Sequence, residues 1–304
     1  MPDRVRDLDV LYIHPRLAIV NQKVISEAFS VRSVTMKDHI RKDEVPARPQ
    51  DSGSPARKAE QPVFSPRAYL TQYYEDVDPG NQTLLRFYAK VYEDLAGRSL
   101  LEFGGGPTIY SLITAARTAR WIHFCDYSAE SLSEVNKWLT EDSSAFDWSH
   151  FTRFALECET GGRPSEEDIQ ARHRLIRQCI RKLSRCDIFA TDPLLGSSLG
   201  PYGVVAHTFV LDDLTQDKNE WSHLNRKLAN LVDKDDGMFV TVSLLNASYW
   251  TVEGVRYPAV TLTPDDVFSM CEQLGFRITS SDVVELEGKI GYDGFIMACG
   301  QRIP

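Results

Sequence analysis

The chain has 304 residues, 42% of them hydrophobic and 25% charged, which fits one large or two modest globular domains. A formal net charge of −9 argues against a nucleic-acid groove, and no apolar run approaches the length of a membrane span. The six cysteines form no C-x-x-C pair, and residues 1–7 lack a signal-peptide core. We therefore expect a cytoplasmic protein with reduced thiols and no metal site.

The first 63 residues are predicted to lie outside the main domain. Residues 1–40 include one short apolar segment, which the sequence does not assign to a strand, a helix or an arm. Residues 41–63 are rich in Pro, Ser, Lys, Arg and Glu and almost free of apolar side chains, which predicts a mobile linker. We thus expect an N-terminal extension over 1–63 and one domain over 64–304.

Two helices are predicted to open that domain. Residues 64–74 begin with a plausible helix start and are dense in aromatic side chains, whose simplest role is packing in the core. Residues 81–96 carry Leu, Tyr and Val at helical spacing, which predicts a second, amphipathic helix.

A glycine turn between two apolar runs carries the most information about function. Residues 99–103 are predicted to form a buried strand, Gly104 to Gly106 a turn, and residues 108–119 a helix. Glycines at this point let a ligand approach the backbone where a side chain would block it. Pro107 suits the first position of the helix, because its φ is preset and it has no N–H.

The residues around this turn favour S-adenosylmethionine over a dinucleotide. Asp126 ends the next apolar run, about twenty residues after the first glycine, where nucleotide-binding α/β folds place the acid that holds the ribose. The dinucleotide fingerprint requires a small residue where Ile109 stands, and Pro107 removes an N–H that a pyrophosphate would use. Glu102 would repel phosphates but suits the amino group of a methionine moiety. An ordinary strand-to-helix turn is the alternative.

The rest of the chain alternates between predicted strands and helices. Strands are predicted over residues 120–126, 151–157, 203–210, 238–245, 276–286 and 293–300, with a short extended piece at 186–189. Helices are predicted over residues 129–140, 165–184, 219–232 and 264–274. Residues 249–260 are predicted to form a hairpin that turns at Gly254. This order predicts an α/β sheet with an antiparallel edge.

Four motifs stand in one order along the chain: PRAYLTQYY at residues 66–74, GPTIY at 106–110, DYS at 126–128 and AFDWS at 145–149. In this order and spacing they resemble the nicotinamide, phenylethanolamine and indolethylamine (thioether) N-methyltransferase family, over residues 64–300. The resemblance implies a Rossmann-like class I methyltransferase domain that uses S-adenosylmethionine and has an aromatic N-terminal helical lid.

The resemblance also implies a cofactor site, carried over position by position. Tyr69 and Tyr74 would close over the methionine end of the cofactor, and Gly104, Gly106 and Tyr110 would line its turn. Tyrosine faces around a sulfonium add a cation–π attraction of about 0.5–2 kcal/mol each, which is a reason for aromatic side chains beyond packing.

The same comparison implies the residues around the nucleoside. Asp126 would hold the ribose, and Asp187 and Ile188 would flank the adenine. The family commonly has Asn where this chain has Ser131, which weakens one hydrogen bond to the ribose without removing the site.

The resemblance says less about the methyl acceptor, which we expect to be a small molecule. Family members place acids after the fifth strand, and residues 243–249 contain none. Asp212 matches a family acid after the fourth strand, and it or Asp213 could accept a proton from an amine or anchor it; a helix cap or a solvated turn would also explain Asp213. We expect a weakly basic or heteroaromatic nitrogen, oriented by Asp212 and stacked on aromatics such as Tyr249 or Trp250.

Three other functions stay open from the sequence. A thiol or thioether acceptor is the next choice, because thiolates attack sulfonium methyl groups readily. A degenerate family member could bind the cofactor as a regulatory subunit without turnover. An NAD-dependent oxidoreductase is disfavoured by Ile109 and by the lack of a Tyr-x-x-x-Lys pair.

Overall fold

The structure is a computed structural model that describes residues 64–93 and 95–303. Its helices are α1 (Pro66–Tyr74), α2 (Pro79–Val91), α3 (Leu112–Ala115), α4 (Ala129–Leu139), α5 (Ser149–Thr160), α6 (Glu166–Cys179), α7 (Lys218–Ala229) and α8 (Pro264–Gln273). Its strands are β1 (Ser99–Phe103), β2 (Trp121–Asp126), β3 (Ile180–Arg185), β4 (Val204–Thr208), β5 (Met238–Leu245), β6 (Tyr249–Val252), β7 (Val255–Pro258), β8 (Phe276–Glu285) and β9 (Gly294–Arg302). The predictions for residues 1–63 lie outside the described residues. Within the described part, no helix is long and apolar enough to cross a membrane.

Seven of the described strands form one sheet in the order β3-β2-β1-β4-β5-β9-β8. Strands β1 to β5 run parallel, and β9 lies antiparallel between β5 and β8. The strand order reverses between β1 and β4, and ligands bind at the carboxyl ends of the strands at such a switch point. The predicted α/β sheet with an antiparallel C-terminal edge is confirmed.

Buried side chains on the two faces of the sheet form two hydrophobic clusters. Along β1, Leu100 belongs to the cluster that includes α1 and α2, whereas Leu101 and Phe103 belong to the cluster that includes α7 and α8. Because side chains alternate along a strand, Glu102 lies on the same face as Leu100. An otherwise apolar strand therefore projects one carboxyl group toward the N-terminal helices.

The strand predicted over residues 151–157 is wrong, because α5 occupies them. Phe151, Ala155 and Leu156 are buried in this helix, and Thr152 is buried beside them. These positions recur at the spacing of one helix face, so the period of the pattern outweighs the strand preference of its aromatic residues.

The strand that the prediction missed is β3, within the helix predicted over residues 165–184. Helix α6 ends at Cys179, and the next residues form an edge strand that pairs with β2 alone. Arg181 and Arg185 are exposed there, and an edge strand with polar side chains resembles the solvated face of a helix. The piece predicted to be extended at 186–189 is not a strand.

The helix predicted over residues 108–119 is much shorter, since α3 covers four residues. Pro107 lies in a turn ahead of that helix, not at its first position. The Thr108 hydroxyl donates to the Gly105 carbonyl at 2.8 Å and closes this turn. Such a local side-chain bond competes with helix formation.

The hairpin predicted over residues 249–260 is confirmed. Strands β6 and β7 pair antiparallel, and Gly254 turns the chain with a φ of 78°, a left-handed conformation that favours glycine. The register sets Trp250 opposite Tyr257.

Candidate active site

A cavity of about 840 Å³ opens at the carboxyl ends of β1, β2 and β4, with walls contributed by α1 and the β6–β7 hairpin. Most of the predicted site residues line it: Tyr69, Tyr74, Gly104, Gly106, Tyr110, Asp126, Ser131 and Asp212. The fold thus brings four separate stretches of the chain to one cavity.

Two of the predicted residues, Asp187 and Ile188, are not among those that line the cavity. The Asp187 carboxyl accepts from the Phe189 N–H at 2.9 Å and caps its own turn after β3. Ile188 is buried in the core. Their contact with an adenine stays a prediction.

The glycine turn is shaped by close neighbours. Gly104 has a φ of 68°, and a Cβ there would lie 2.6 Å from the Val210 side chain. Gly106 has a φ of 62°, and its missing Cβ would point into open space. Both positions therefore need glycine because of the left-handed backbone conformation. Gly104 needs it also because a Cβ would have no room.

Asp126 is fixed by backbone groups on both of its oxygens. Oδ2 accepts from the Gly106 N–H at 2.8 Å, and Oδ1 accepts from the Ser128 N–H at 2.7 Å. Burial raises the pKa of this carboxyl, and these two N–H groups oppose the rise. Since a carboxylate has about four acceptor sites, each oxygen can still accept from a ligand hydroxyl.

Glu102 is an incompletely satisfied carboxyl in the cavity wall. Its side chain is 1% exposed, Oε1 accepts from the Ser111 hydroxyl at 2.9 Å, and Oε2 is buried without a hydrogen-bond partner. Burial raises the pKa of Glu102 to about 8. An unpaired buried oxygen costs about 1–3 kcal/mol, more for a charged group, so this atom favours a ligand that donates to it.

Stacked tyrosines stand next to Glu102. Tyr74 stacks on Tyr110 with ring centroids 5.2 Å apart, and the hydroxyls of Tyr69 and Tyr74 lie 3.1 Å from each other. Burial raises the pKa of all three phenols, which keeps them neutral. Neutral rings can attract a cation through their faces.

Helix α1 and the hairpin are joined by three hydrogen bonds. Gln72 Nε2 donates to the Thr251 carbonyl at 2.8 Å, and the Glu253 N–H donates to Gln72 Oε1 at 3.0 Å. The Tyr73 hydroxyl donates to the same Thr251 carbonyl at 2.6 Å. We call the joined α1 and hairpin the roof.

An aromatic cluster lies on the roof and on Phe64, just ahead of α1, and the sequence predicted only part of it. Trp250 stacks on Tyr257 with centroids 4.5 Å apart, and Phe64 and Tyr69 each meet Trp250 edge-on at 6.3 and 5.8 Å. All four line the cavity, whereas Tyr249 does not and lies under Arg256. The Trp250–Tyr257 pair could have been predicted from the sequence, because residues counted outward from the turn at Gly254 lie opposite each other in a hairpin, and this count pairs position 250 with position 257.

Asp212 and Asp213 follow β4 in one short 3₁₀ turn but have different partners. Asp212 is 1% exposed; Oδ1 accepts from the Trp221 indole and the Ser243 hydroxyl, and Oδ2 accepts from the Leu244 N–H at 2.8 Å. Burial raises the pKa of Asp212 to about 6, although the hydrogen bonds from these donors lower it. Burial, and then the neighbouring Asp212, raise the pKa of Asp213 to about 8.

Among residues 64–93 and 95–303, no group of three or more His, Cys, Asp or Glu side chains is placed to hold a metal ion. All six cysteines lie in this part of the chain and are free thiols.

The model of the NNMT/PNMT/TEMT family matches residues 55–298. The chain belongs to this family. Nicotinamide N-methyltransferase from Homo sapiens is 28% identical over 229 residues, which are 73% of this chain and 85% of that protein. Indolethylamine N-methyltransferase from Mus musculus is 28% identical over 253 residues, 79% and 94% of the two chains. Phenylethanolamine N-methyltransferase from Sus scrofa is 25% identical over 226 residues, 71% and 78%.

Membership of the NNMT/PNMT/TEMT family confirms the resemblance found in the four motifs, and the chain is an S-adenosylmethionine-dependent N-methyltransferase. The cavity fits that cofactor. The unpaired Glu102 Oε2 suits an ammonium group, and Asp126 presents free acceptor sites to hydroxyls. The space beside Gly106, which a Cβ would enter, leaves the backbone open to a ligand.

Proposed function

We propose that the chain methylates the nitrogen of a small aromatic amine or nitrogen heterocycle, with S-adenosylmethionine as the donor. The observation that carries this proposal is the division of the cavity into two chemically different ends. Glu102, Asp126, Tyr74 and Tyr110 line the cavity beside the ends of β1 and β2, where we place the cofactor end. The aromatic cluster of the roof and Asp213 line it beside the hairpin, where we place the acceptor end, and Tyr69 contacts both groups of rings. The relatives named above are named for nicotinamide, indolethylamine and phenylethanolamine, which all combine a ring with a nitrogen.

The residues proposed to hold the cofactor follow from this division. Asp126 would accept from the ribose hydroxyls, and Glu102 would accept from the ammonium group. Tyr69, Tyr74 and Tyr110 would surround the methionine end, Gly104 and Gly106 would let it approach, and Ser131, Asp187 and Ile188 keep the nucleoside contacts that the family resemblance implies. When bound, the cofactor supplies a methyl group already activated on a sulfonium, so the chain needs no nucleophile of its own.

The chain's contribution is then to position and enclose the reactants. Positioning two reactants at near-attack distance lowers a barrier by about 7–11 kcal/mol when it is done well. The roof supports this role, because its hydrogen bonds through Gln72 and Tyr73 hold aromatic rings over the acceptor end. Asp212 would contribute indirectly: its bonds to Ser243 and Leu244 tie the turn after β4 to the end of β5, and so fix the wall of that end.

A cytosolic location is part of the proposal. Its support is the chemistry of the six free cysteines, because thiols persist in a reducing compartment. Fractionation of cells that express the tagged full-length chain would test it, and recovery in a secreted or organellar fraction would contradict it.

The function is tested with methyl-labelled S-adenosylmethionine and four acceptors: nicotinamide, tryptamine, phenylethanolamine and a small thiol. We expect labelled N-methyl product from at least one nitrogen acceptor, identified by mass spectrometry, and tight binding of S-adenosylhomocysteine by calorimetry. Transfer to the thiol alone would identify a sulfur acceptor instead. Tight cofactor binding without transfer to any acceptor would favour the regulatory alternative.

A further inference from the structure

Asp213 is a carboxyl group at the acceptor end of the cavity that the cofactor site does not use. It follows Phe209, whose φ of 56° is a left-handed conformation rare for an aromatic residue, and which turns the chain directly after β4. Such strained positions cluster at functional sites. The turn leaves the Asp213 side chain half-buried in the cavity wall.

The two neighbouring acids are not equivalent as bases. Three donors from Trp221, Ser243 and Leu244 converge on Asp212, so its ionised form is stabilised by fixed groups of the protein. The ionised form of Asp213 is favoured by its own backbone N–H and by an interaction with the Trp250 side chain. Asp213 therefore keeps more capacity for a ligand, and Asp212 serves the structure of the wall.

No cation among the described residues pairs with Asp213. Two basic side chains line the cavity, and both have other partners. Lys289 Nζ lies 2.8 Å from Asp78 Oδ2, and the Arg185 guanidinium stands 5.2 Å from the Tyr127 ring centroid. The surroundings of Asp213 are the aromatic rings of the roof and the carboxyls of Asp212 and Asp126, so a cation that reaches this carboxyl comes from a ligand.

Burial in this wall changes whether the bound amine or the Asp213 carboxyl holds the proton that the two groups share. Burial disfavours an ammonium and a carboxylate alike, so a bound pair shifts toward the neutral amine and the neutral acid. The raised pKa of Asp213, about 8, is close to the pKa of ordinary amines and lowers the cost of that transfer once the carboxyl is ionised, so the transfer is expected at and above about pH 8. A neutral amine has the free electron pair that attack on a methyl group requires.

We propose that Asp213, rather than Asp212, takes the proton from the acceptor when the acceptor is a protonated amine. This inference rests on the N-methyltransferase function proposed above. One N–H bond of the ammonium breaks, one O–H bond forms on Asp213, and the electron pair of the broken bond stays on nitrogen. The proton leaves to solvent from Asp213 after the product departs.

Other titratable groups face this carboxyl and bear on its pH dependence. Asp212 on the same turn and Asp126 at the end of β2 raise its pKa by repulsion. Tyr69 from α1 is coupled to it and stays neutral. Trp250 from β6 does not titrate. Asp212, with a pKa of about 6, and Glu102, with a pKa of about 8, titrate in the same pH range, so the contribution of Asp213 is the part of the profile that Asp213→Asn removes.

The test compares Asp213→Asn with wild type on phenylethylamine, a primary amine, and on nicotinamide, whose ring nitrogen has no proton to lose. The amide keeps the size of the side chain but cannot take a proton. We expect kcat/KM for the amine to fall about 100-fold, and for nicotinamide by less than about tenfold. On the acid side of the pH profile for the amine, the pKa that limits kcat/KM should become the pKa of the free amine. Calorimetry should show weaker binding of the protonated amine to the S-adenosylhomocysteine complex.

The matched control is Asp235→Asn, the same charge change at an exposed turn, which should behave as wild type. Unchanged affinity for S-adenosylhomocysteine shows that Asp213→Asn is folded. Equal losses for both acceptors, or a larger loss in Asp212→Asn than in Asp213→Asn, would overturn the inference. A wild-type enzyme that binds cofactor but methylates neither these two probes nor any nitrogen acceptor named under the proposed function defeats that function. In that case the affinity of the amine for the S-adenosylhomocysteine complex tests the role of Asp213. Affinity that is equal in wild type and Asp213→Asn, or undetectable in both, overturns that role.

Discussion

The two ends of the cavity are built in different ways. At the proposed cofactor end, Asp126 and the glycine turn come from the ends of neighbouring parallel strands, and hydrogen bonds from the Gly106 and Ser128 N–H groups fix Asp126. At the acceptor end, the rings belong to α1 and to the β6–β7 hairpin, which are more than 170 residues apart along the chain and meet through Gln72 and Tyr73.

This difference explains why the reaction is easier to derive than the substrate. A backbone-built site depends on strand order and on a few glycines, so it tolerates wide variation elsewhere in the sequence. A site built from the side chains of two distant segments changes its shape with any one of them. The chain therefore keeps its family's donor chemistry while its acceptor end carries Asp213 and the Trp250–Tyr257 stack.

The largest effect is expected from removing the part of the roof that also serves the cofactor end. Deletion of residues 1–63 should leave binding of S-adenosylhomocysteine intact, because the composition of residues 41–63 predicts few contacts. Deletion through residue 75 should abolish detectable binding, since it removes Tyr69 and Tyr74. Calorimetry measures both, and circular dichroism checks that the longer deletion is folded. Equal affinity in the two truncated chains would show that α1 does not cover the cofactor.

A smaller loss is expected from Asp126→Ala. The substitution removes the proposed acceptor for the ribose hydroxyls and the tether of the Gly106 N–H. We expect S-adenosylhomocysteine to bind about 1–3 kcal/mol more weakly, with Asp235→Ala as an exposed control at wild-type affinity. Unchanged affinity in a folded Asp126→Ala protein would place the ribose elsewhere.

Glu102 should couple cofactor binding to protons. Its pKa of about 8 in the free protein leaves it protonated at pH 7, and an ammonium group placed beside it would ionise it. Binding between about pH 5 and pH 8 should then release up to one proton, measured by calorimetry in buffers of different ionisation enthalpy. Release should vanish in Glu102→Gln; release that persists in this variant would come from another group.

The same carboxyl gives a signed prediction for stability. Its folded pKa lies above the ordinary value of 4.5, so its contribution is fully present below about pH 4.5 and is lost as the pH rises through about 8. The unliganded Glu102→Gln protein should therefore lose less stability than wild type between these limits, measured by urea unfolding. Parallel curves would show that Glu102 ionises normally.

The smallest effect is expected at the joint of the roof. Gln72→Ala removes two hydrogen bonds to the hairpin, each worth about 0.5–1.5 kcal/mol at most on this exposed surface. The acceptor KM should rise about two- to tenfold with little change in cofactor affinity. Tyr73→Phe, which removes one bond, should have the lesser effect. A cofactor affinity that falls as much as the acceptor KM rises would mean that the roof closes both ends as one unit.

Much of the proposed cofactor end could be predicted from the sequence. Residues 104–106 and Asp126 are placed by a strand, a turn and the next strand, all short-range features whose geometry recurs in α/β folds. The hairpin was predictable for the same reason, because alternation around Gly254 sets its register. The prediction failed for α5 and β3, where aromatic residues lie on a helix and basic residues lie on an edge strand.

The hydrogen-bond partners that a side chain finds on another strand of the sheet could not be predicted from the sequence. The sequence places Asp212 and Asp213 side by side after β4, and the family resemblance favours Asp212 as the acid that orients the acceptor. Only the tertiary structure brings Ser243 and Leu244 of β5 onto Asp212 and turns Asp213 toward the rings of the roof. Whether a carboxyl group is free to bind a ligand depends on hydrogen-bond donors that are distant along the chain. The shape of a glycine turn, in contrast, depends on the backbone conformation of its own residues.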